Sequence, residues 1–122
     1  MKILLAEDDI NISTIMAITL EQIGNHQVTV VEDGLAAVEQ VQRQDYDLII
    51  LDGMMPKLDG FETCRKMKTD LHLKMPIIFM SAKSDESSKK AGKDLGAIGY
   101  IEKPFDPNLV CEQIEKILEE GM

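Results

Sequence analysis

Leu48-Ile49-Ile50-Leu51-Asp52 places four large aliphatic side chains in an unbroken row and ends the row with an aspartate. A strand with one face in water would alternate apolar and polar residues, but every position of this run is apolar. Short continuous runs of this kind are typical of strands in a parallel sheet that is covered on both faces. The run therefore predicts a strand that is covered on both faces and whose carboxyl end carries the polar side chain of Asp52.

Similar apolar runs alternate with segments of helical period along the chain. This alternation is typical of βα units repeated around a parallel sheet. The predicted strands are Lys2–Ala6, Val28–Val31, Asp47–Leu51, Pro76–Met80 and Gly99–Ile101. The predicted helices are Ile12–Ile23, Leu35–Gln44, Phe61–Thr69, Glu86–Leu95 and Pro107–Glu119. The sequence thus predicts an α/β protein of five βα units with helices on both faces of the sheet.

Length and charge limit the function classes that the chain can belong to. Its 122 residues are the size of one domain, so we expect a single folded unit over residues 1–122. The 13 basic and 22 acidic side chains give a formal charge of −9. Nucleic acids and anionic membranes bind clustered Lys and Arg, so this charge disfavours both as direct partners. We therefore expect the partners to be proteins.

Neither the cysteines nor the first residues indicate an exported protein. Cys64 and Cys111 are the only cysteines and form no C-x-x-C pair, so neither a zinc site nor a disulfide framework is predicted. The apolar run at residues 3–6 stops at Glu7, far short of a signal-peptide core, and we expect neither export nor a membrane span. The sequence predicts a cytoplasmic protein.

Polar side chains follow four of the predicted strands at the point where each strand ends. They are Glu7 and Asp8 after the first strand, Asp52 after the third, Ser81 after the fourth and Lys103 after the fifth. The carboxyl ends of parallel strands share one edge of the sheet, and ligands of open α/β sheets bind there. We therefore expect these side chains to form one site.

The expected site combines carboxylates, a hydroxyl and an amine. Three carboxylates in one place repel one another unless a cation lies among them, and Mg²⁺ prefers such oxygen ligands together with phosphate oxygens. Lys103 supplies a second positive charge. A phosphoryl group could be stabilised through its oxygens by these cations and by the Ser81 hydroxyl. Asp52 is then the natural nucleophile.

Four ordered segments of the chain carry a resemblance to a known family. They are Ile3-Leu4-Leu5-Ala6-Glu7-Asp8-Asp9, Asp52-Gly53-Met54-Met55-Pro56 with Asp59-Gly60-Phe61-Glu62, Met80-Ser81-Ala82, and Gly99-Tyr100-Ile101-Glu102-Lys103-Pro104-Phe105. Each segment alone is a weak signal. In this order and at the ends of predicted strands, they resemble the signature of response regulator receiver domains of two-component signalling. The resemblance covers nearly the whole chain.

The resemblance implies a fold and a reaction. The fold would be a doubly wound, flavodoxin-like parallel sheet of strand order 2-1-3-4-5. Asp52 would be phosphorylated by a histidine kinase or a histidine phosphotransfer protein. Mg²⁺ would be bound by Asp8, Asp52 and the backbone carbonyl of Met54, with Glu7 acting through water.

The resemblance also implies how the signal would be relayed. Ser81 and Lys103 would contact the phosphoryl oxygens, and the peptide bond before Pro104 would be cis. Tyr100 matches the switch aromatic of the family and would turn inward when Ser81 is drawn to the phosphoryl group. The fourth helix, fifth strand and fifth helix would then form the surface that binds a downstream protein.

Two further expectations rest on the same resemblance, and a third rests on the amino end of the chain. Met54 and Lys83 occupy positions that influence hydrolysis of the phosphoryl group, and neither can orient a water molecule well, so autodephosphorylation would be slow. Asn108 stands where many transcription-factor receivers carry an Arg used in dimerisation, so we expect a mostly monomeric chain. The amino end begins without a tag or linker, which favours a stand-alone regulator over a receiver excised from a longer protein, and the two would have the same sequence here.

Several of these residues also have purely structural interpretations. The acidic run Glu7-Asp8-Asp9 could simply favour the start of the first helix, where acidic residues suit the helix dipole. Asp9 in particular is expected to serve as a cap. The Asp59-Gly60 pair is interpreted as a turn followed by a helix start. Tyr100 could be an ordinary half-buried aromatic residue of an edge strand.

Two other classes of function use similar elements. Phosphatases of the haloacid dehalogenase type also form a phosphoaspartate, but they need a second Asp two residues later, where this chain has Met54. A nucleotide or flavin binder would need a phosphate-binding loop such as G-x-G-x-x-G, which the strand-helix turns lack. A signalling receiver that is not a turnover enzyme remains the prediction.

Overall fold

The computed structural model describes residues 1–82 and 86–121. Strands and helices alternate along the chain from the first strand to the last helix. The strands are β1 (Lys2–Ala6), β2 (Gln27–Val31), β3 (Leu48–Asp52), β4 (Ile77–Ala82) and β5 (Gly99–Lys103). The helices are α1 (Ile10–Gln22), α2 (Gly34–Arg43), α3 (Gly60–Arg65), α4 (Glu86–Asp94) and α5 (Val110–Gly121). All predicted strands and helices are present, with ends that differ by up to four residues.

The strands form one parallel sheet in the order β2-β1-β3-β4-β5, as the resemblance implies. In this order β3 is central, with β1 on one side and β4 on the other. The register pairs Ala6 with Leu51 and Asp52 with Met80. Glu7, Asp52 and Ser81 therefore reach the same edge of the sheet.

Successive residues of the central strands pack on opposite faces of the sheet. On one face, Leu4 and Ile49 belong to a buried cluster that includes Val41 of α2 and Cys64 of α3. The other cluster contains Ile50 and residues of α1 and α5. Its helical members are Met16, Leu20, Val110 and Ile114. Every side chain of Leu48–Leu51 is fully buried, which explains why this strand lacks the polar alternation of a half-exposed strand.

Two helices begin at residues other than the predicted ones, and local hydrogen bonds explain the difference. α1 begins at Ile10 instead of Ile12, because Asp9 acts as the cap and its carboxylate accepts hydrogen bonds from the backbone of Asn11 and Ile12. α5 begins at Val110 instead of Pro107. There the Asp106 carboxylate accepts from the Asn108 backbone N–H at 2.8 Å and holds the preceding residues in a turn.

The third helix also differs from the prediction. A single helix was predicted over Phe61–Thr69, but α3 ends at Arg65 and the chain continues as a π-helical segment, Lys66–Asp70. The wider turn is closed by a hydrogen bond from the Leu71 N–H to the Lys66 carbonyl, five residues earlier, at 2.9 Å. Among the described helices, none combines the length and apolar character needed to cross a membrane.

Candidate functional site

Three carboxylates meet at the carboxyl edge of the sheet. Glu7 follows β1, Asp8 comes next, and Asp52 is the last residue of β3. Each offers an oxygen atom, and these atoms lie within 4.8 Å of one another. Glu7 and Asp52 are only 1% and 3% exposed, whereas Asp8 is exposed to solvent. The predicted convergence of these side chains is confirmed.

Lys103, the last residue of β5, contacts the two buried carboxylates. Its Nζ atom lies 2.7 Å from Glu7 Oε1 and 2.9 Å from Asp52 Oδ1. One ammonium group therefore holds together two anions that would otherwise repel each other. The predicted cis peptide bond between Lys103 and Pro104 is present.

Burial and charge shift the pKa of two groups in this cluster. Burial, followed by the hydrogen bond with Asp52, raises the pKa of Glu7 to about 7, although Lys103 acts in the opposite direction. Burial alone would lower the pKa of Lys103, but its hydrogen bonds with Asp52 and Glu7 outweigh this effect and raise the pKa above its usual value. Lys103 is therefore a permanent cation at neutral pH, as the predicted chemistry requires.

Ser81 contributes an available hydroxyl group near this edge. It lies in β4, one residue beyond Met80, which is the register partner of Asp52. Its Oγ atom is buried and has no hydrogen-bond partner within residues 1–82 and 86–121. A buried hydroxyl without a partner is costly, so this group is suited to donate to an oxygen atom that enters the site.

The loop after β3 is held close to the nucleophile candidate. The Met54 backbone N–H donates to Asp52 Oδ1 at 3.3 Å, and the Gly53 N–H donates to the Met80 carbonyl at 3.1 Å. At Gly60, where α3 begins, a Cβ atom would overlap the Asp52 carbonyl oxygen. A residue without a side chain is therefore needed there. The Met54 side chain is 80% exposed beside the site.

The structural interpretations of two aspartates are confirmed. Asp9 caps α1, and its own backbone N–H donates to Glu7 Oε2 at 3.1 Å, so it supports the cluster from outside. Asp59 caps α3 by accepting a hydrogen bond from the Glu62 N–H at 2.9 Å. The acidic segment at residues 7–9 thus contains two residues of the site and one helix cap.

Tyr100 lies on β5, three residues before Lys103. It is half-buried, and its hydroxyl donates to Glu102 Oε1 at 3.3 Å. The ammonium group of Lys89 lies 4.2 Å from the centre of the Tyr100 ring. No role was predicted for Lys89, and Glu102 was named only as part of the family signature. The available signal was the spacing of Tyr100 and Glu102, because residues two apart on a strand share a face.

The donor set at the edge of the sheet fits a magnesium ion. The candidate ligand atoms are oxygens from Glu7, Asp8 and Asp52, with no sulfur or imidazole donor in the group. Three carboxylates and one ammonium leave an excess of negative charge, which favours a hard divalent cation. The arrangement can therefore hold Mg²⁺ next to a buried aspartate and present an amine and a hydroxyl to a tetrahedral anion.

Comparisons with known proteins agree with this geometry. The profile of the response regulator receiver domain family matches residues 3–115. The alkaline phosphatase synthesis transcriptional regulatory protein PhoP of Bacillus subtilis is 38% identical over 117 residues, which cover 96% of this chain and 48% of the relative. The transcriptional regulatory protein CreB of Escherichia coli is 36% identical over 114 residues, or 93% of this chain and 49% of that protein. The chain spans about half the length of these curated relatives.

Solved structures show the same fold. The chemotaxis response regulator CheY4 of Vibrio cholerae superimposes with a TM-score of 0.86 at 29% identity, covering 95% of this chain and 97% of the other. The receiver domain of the Francisella response regulator 1452 gives a TM-score of 0.84 at 27% identity, with coverage of 99% and 98%. The predicted flavodoxin-like α/β fold is confirmed.

Proposed function

We propose that this chain, which belongs to the response regulator receiver domain family, accepts a phosphoryl group on Asp52 and thereby switches a protein-binding surface. The phosphoryl donor would be a histidine kinase or a histidine phosphotransfer protein. The observation that carries the proposal is the buried Asp52 carboxylate, 2.9 Å from the Lys103 ammonium and close to Glu7 and Asp8. This set can activate and stabilise a phosphoryl group at one carboxylate.

In the proposed reaction, a carboxylate oxygen of Asp52 attacks the phosphorus atom of a phosphohistidine in line with the P–N bond. A P–O bond forms, the P–N bond breaks, and its electron pair stays with the imidazole nitrogen. Lys103 and the Ser81 hydroxyl donate to the phosphoryl oxygens. Lys103 already lies within hydrogen-bonding distance of Asp52, so it needs little rearrangement to follow the charge from the carboxylate to the phosphoryl group.

Asp8, Asp52 and the backbone carbonyl of Met54 would hold Mg²⁺, with Glu7 acting through a water molecule. When bound, the ion would neutralise negative charge on the carboxylates and the phosphoryl oxygens. Lys103 already reduces the repulsion between Glu7 and Asp52. Asp8 is exposed, so a hydrated ion can reach it from solvent.

We propose a signalling domain with slow autodephosphorylation and not an enzyme that turns over phosphate esters. Hydrolysis needs a group that orients and deprotonates water, and the exposed side chain two residues after Asp52 is the thioether of Met54. A thioether is only a weak acceptor and cannot act as a base. The other position expected to influence hydrolysis, Lys83, lies outside the described residues.

Residues 1–122 would act as one receiver domain in the cytoplasm, mostly as a monomer, with a protein as the downstream target. The formal charge of −9 supports a protein target over direct binding to nucleic acid or to a membrane. The PhoP and CreB relatives are named as transcriptional regulatory proteins, but each is about twice as long as the region that this chain matches.

Phosphorylation by a small donor tests the proposal. After incubation with acetyl phosphate and Mg²⁺, intact-mass spectrometry should show one added phosphoryl group that is lost on alkaline treatment. Asp52→Asn should abolish the addition while the thermal unfolding midpoint remains similar. Asp45→Asn is the matched control, because Asp45 is an exposed aspartate outside the site, and it should react like the wild-type chain. Normal labelling of the Asp52→Asn protein would refute the assignment.

A further inference from the structure

The Tyr100 side chain is held by two charged groups from different elements. Its hydroxyl donates to Glu102 Oε1, two residues along β5, at 3.3 Å. The Lys89 ammonium of α4 lies 4.2 Å from the centre of its ring. Lys89 is thus placed where a cation is attracted by the negative face of the aromatic ring.

Lys89 also binds the acceptor of the Tyr100 hydroxyl. Its Nζ atom lies 3.2 Å from the same Oε1 atom of Glu102 and 3.3 Å from Glu86 Oε1. The Lys89 side chain is only 15% exposed, although α4 consists mostly of polar residues. The ammonium group, the carboxylate and the phenol therefore form a closed set of contacts across α4 and β5.

A cavity beside Tyr100 leaves room for its ring to move. The cavity has a volume of about 410 Å³, and its lining includes Tyr100, Lys89, Phe79 and Ser81. Ser81 is the residue whose buried hydroxyl has no hydrogen-bond partner in the described part of the chain. The same space thus lies between the hydroxyl proposed to contact the phosphoryl group and the aromatic ring proposed to respond to it.

We infer that Lys89 is a positioning residue that, together with Glu102, holds Tyr100 in its present position and so opposes the phosphorylation switch. This inference rests on the proposed function, since the switch begins with Ser81. If Tyr100 turns into the cavity, its ring leaves the Lys89 ammonium and its hydroxyl leaves Glu102. The contacts of Lys89 with the ring exist in one of the two states only, so they bias the equilibrium between the states.

The expected bias is modest. A cation–π contact near the surface and a partly screened ion pair each contribute little, so removing the Lys89 charge should shift the equilibrium by about threefold to tenfold. A ligand that binds the switched state gains apparent affinity in proportion to the population of that state. Beryllofluoride, added with Mg²⁺ as a mimic of the phosphoryl group, is a suitable ligand.

The experiment compares beryllofluoride binding to the wild-type chain and to three Lys variants at saturating Mg²⁺, measured by ¹⁹F NMR. Lys89→Met should bind about threefold to tenfold more tightly, because it removes the charge and keeps the aliphatic chain. Lys89→Arg, which keeps the charge and can contact the ring, should remain close to wild type. Lys90→Met is the matched control, since Lys90 lines the same cavity and has no ion pair within the described part of the chain.

A second readout follows Tyr100 directly. The chain has two tyrosines, so the ring signals can be assigned with a Tyr46→Phe variant. Without beryllofluoride, the Tyr100 signals of Lys89→Met should move toward the positions that they take in the beryllofluoride-bound wild-type chain. A change limited to the stability of α4 would not move them in that direction.

The outcomes separate this inference from the proposed function. A wild-type chain that bound no beryllofluoride would overturn both. The wild-type chain could bind beryllofluoride while Lys89→Met and Lys90→Met bind it with equal affinity, or while the Tyr100 signals of Lys89→Met do not move. Either result would overturn the role of Lys89 and leave Asp52 as the phosphoryl acceptor. Tighter binding by Lys89→Met alone, with the matching shift of the Tyr100 signals, would support the inference.

Discussion

Asp8 differs from the other carboxylates of the cluster in its access to water. Glu7 and Asp52 are buried and share the Lys103 ammonium, whereas Asp8 is exposed at the edge of the group. An exposed carboxylate keeps its hydration when the ion is absent and can exchange part of it when the ion arrives. Asp8 is therefore suited to bind a cation that gives up its own water reluctantly.

We predict that Asp8→Ala lowers the affinity for Mg²⁺ by at least about tenfold. Loss of a residue that only supports a metal ligand often has an effect of that size, and Asp8 is proposed to be a ligand itself. Phosphorylation by acetyl phosphate should slow in parallel. Without Mg²⁺, the free energy of unfolding should stay level or rise slightly, because one negative charge leaves a crowded anionic group. Isothermal titration with Mg²⁺ and chemical denaturation in EDTA measure the two quantities.

Asp9→Ala provides the control for this prediction. Asp9 is the next acidic residue, but it caps α1 instead of facing the cluster. Its removal should lower the free energy of unfolding by about 1 kcal/mol and leave the affinity for Mg²⁺ nearly unchanged. If Asp8→Ala bound Mg²⁺ as tightly as the wild-type chain, Asp8 would not be a ligand.

The helices α3 and α5 each place one cysteine in a different environment. Cys64 of α3 is fully buried against the sheet, and its Sγ atom lies 3.8 Å from the Leu95 carbonyl oxygen. Burial raises the pKa of its thiol to about 11, with a small opposing effect from the charge of Lys68. Cys111 of α5 is half-buried, and burial raises its pKa to a smaller extent.

We predict that Cys111 reacts with iodoacetamide well before Cys64 in the folded protein. The thiolate is the reactive form, and a raised pKa lowers its fraction at neutral pH. The rate at Cys111 should rise with pH until its pKa is passed, while Cys64 should stay protected until the chain unfolds. Peptide mapping by mass spectrometry after timed alkylation at several pH values measures both rates. Faster labelling of Cys64 would contradict the packing described for α3.

Strands could be predicted more closely than helix ends. Each strand contains an apolar run too short for a helix, and burial on both faces makes that run continuous, so β1 was predicted with its observed ends. Asp9 was predicted as the cap of α1, but the first residues of α1 and α5 depend on whether the hydrogen bonds of Asp9 and Asp106 to the backbone form a helix start or a turn, and these two conformations compete locally. Such local competition is decided by backbone geometry that periodicity does not contain.

The part of the candidate site that lies at the strand ends could be predicted from the sequence. Glu7, Asp52 and Lys103 meet because parallel strands end at one edge, a consequence of topology that a sequence pattern can indicate. The contact of Lys89 with Tyr100 could not be predicted in this way. It depends on how far α4 lies from β5 and on the rotamers of two long side chains, which only tertiary packing determines.

The fold connects the carboxylate cluster to one particular surface of the molecule. Ser81 lies one residue past the register partner of Asp52 and also lines the cavity shared by α4 and β5. Tyr100 lines the same cavity and a second one that extends to α5. A change at Asp52 can therefore reach α4, β5 and α5 through residues that line these shared cavities, without a rearrangement of the sheet.

We predict that beryllofluoride with Mg²⁺ changes amide exchange on this surface while the chain remains mostly monomeric. The mimic adds negative charge that Ser81 and Lys103 can contact, and it can shift the equilibrium only through contacts that differ between the two states. Hydrogen exchange should therefore change in residues 81–95 and 99–105, and light scattering should still give the mass of one chain.

Asp52→Asn is the control and should show no change in either segment, because it lacks the acceptor carboxylate. Changes confined to Glu7, Asp8 and Asp52 would mean that the chain accepts the group without relaying a signal through α4, β5 and α5. A doubled mass would instead indicate that the switched surface binds a second copy of the chain, which the acidic charge of −9 opposes through repulsion between like-charged chains.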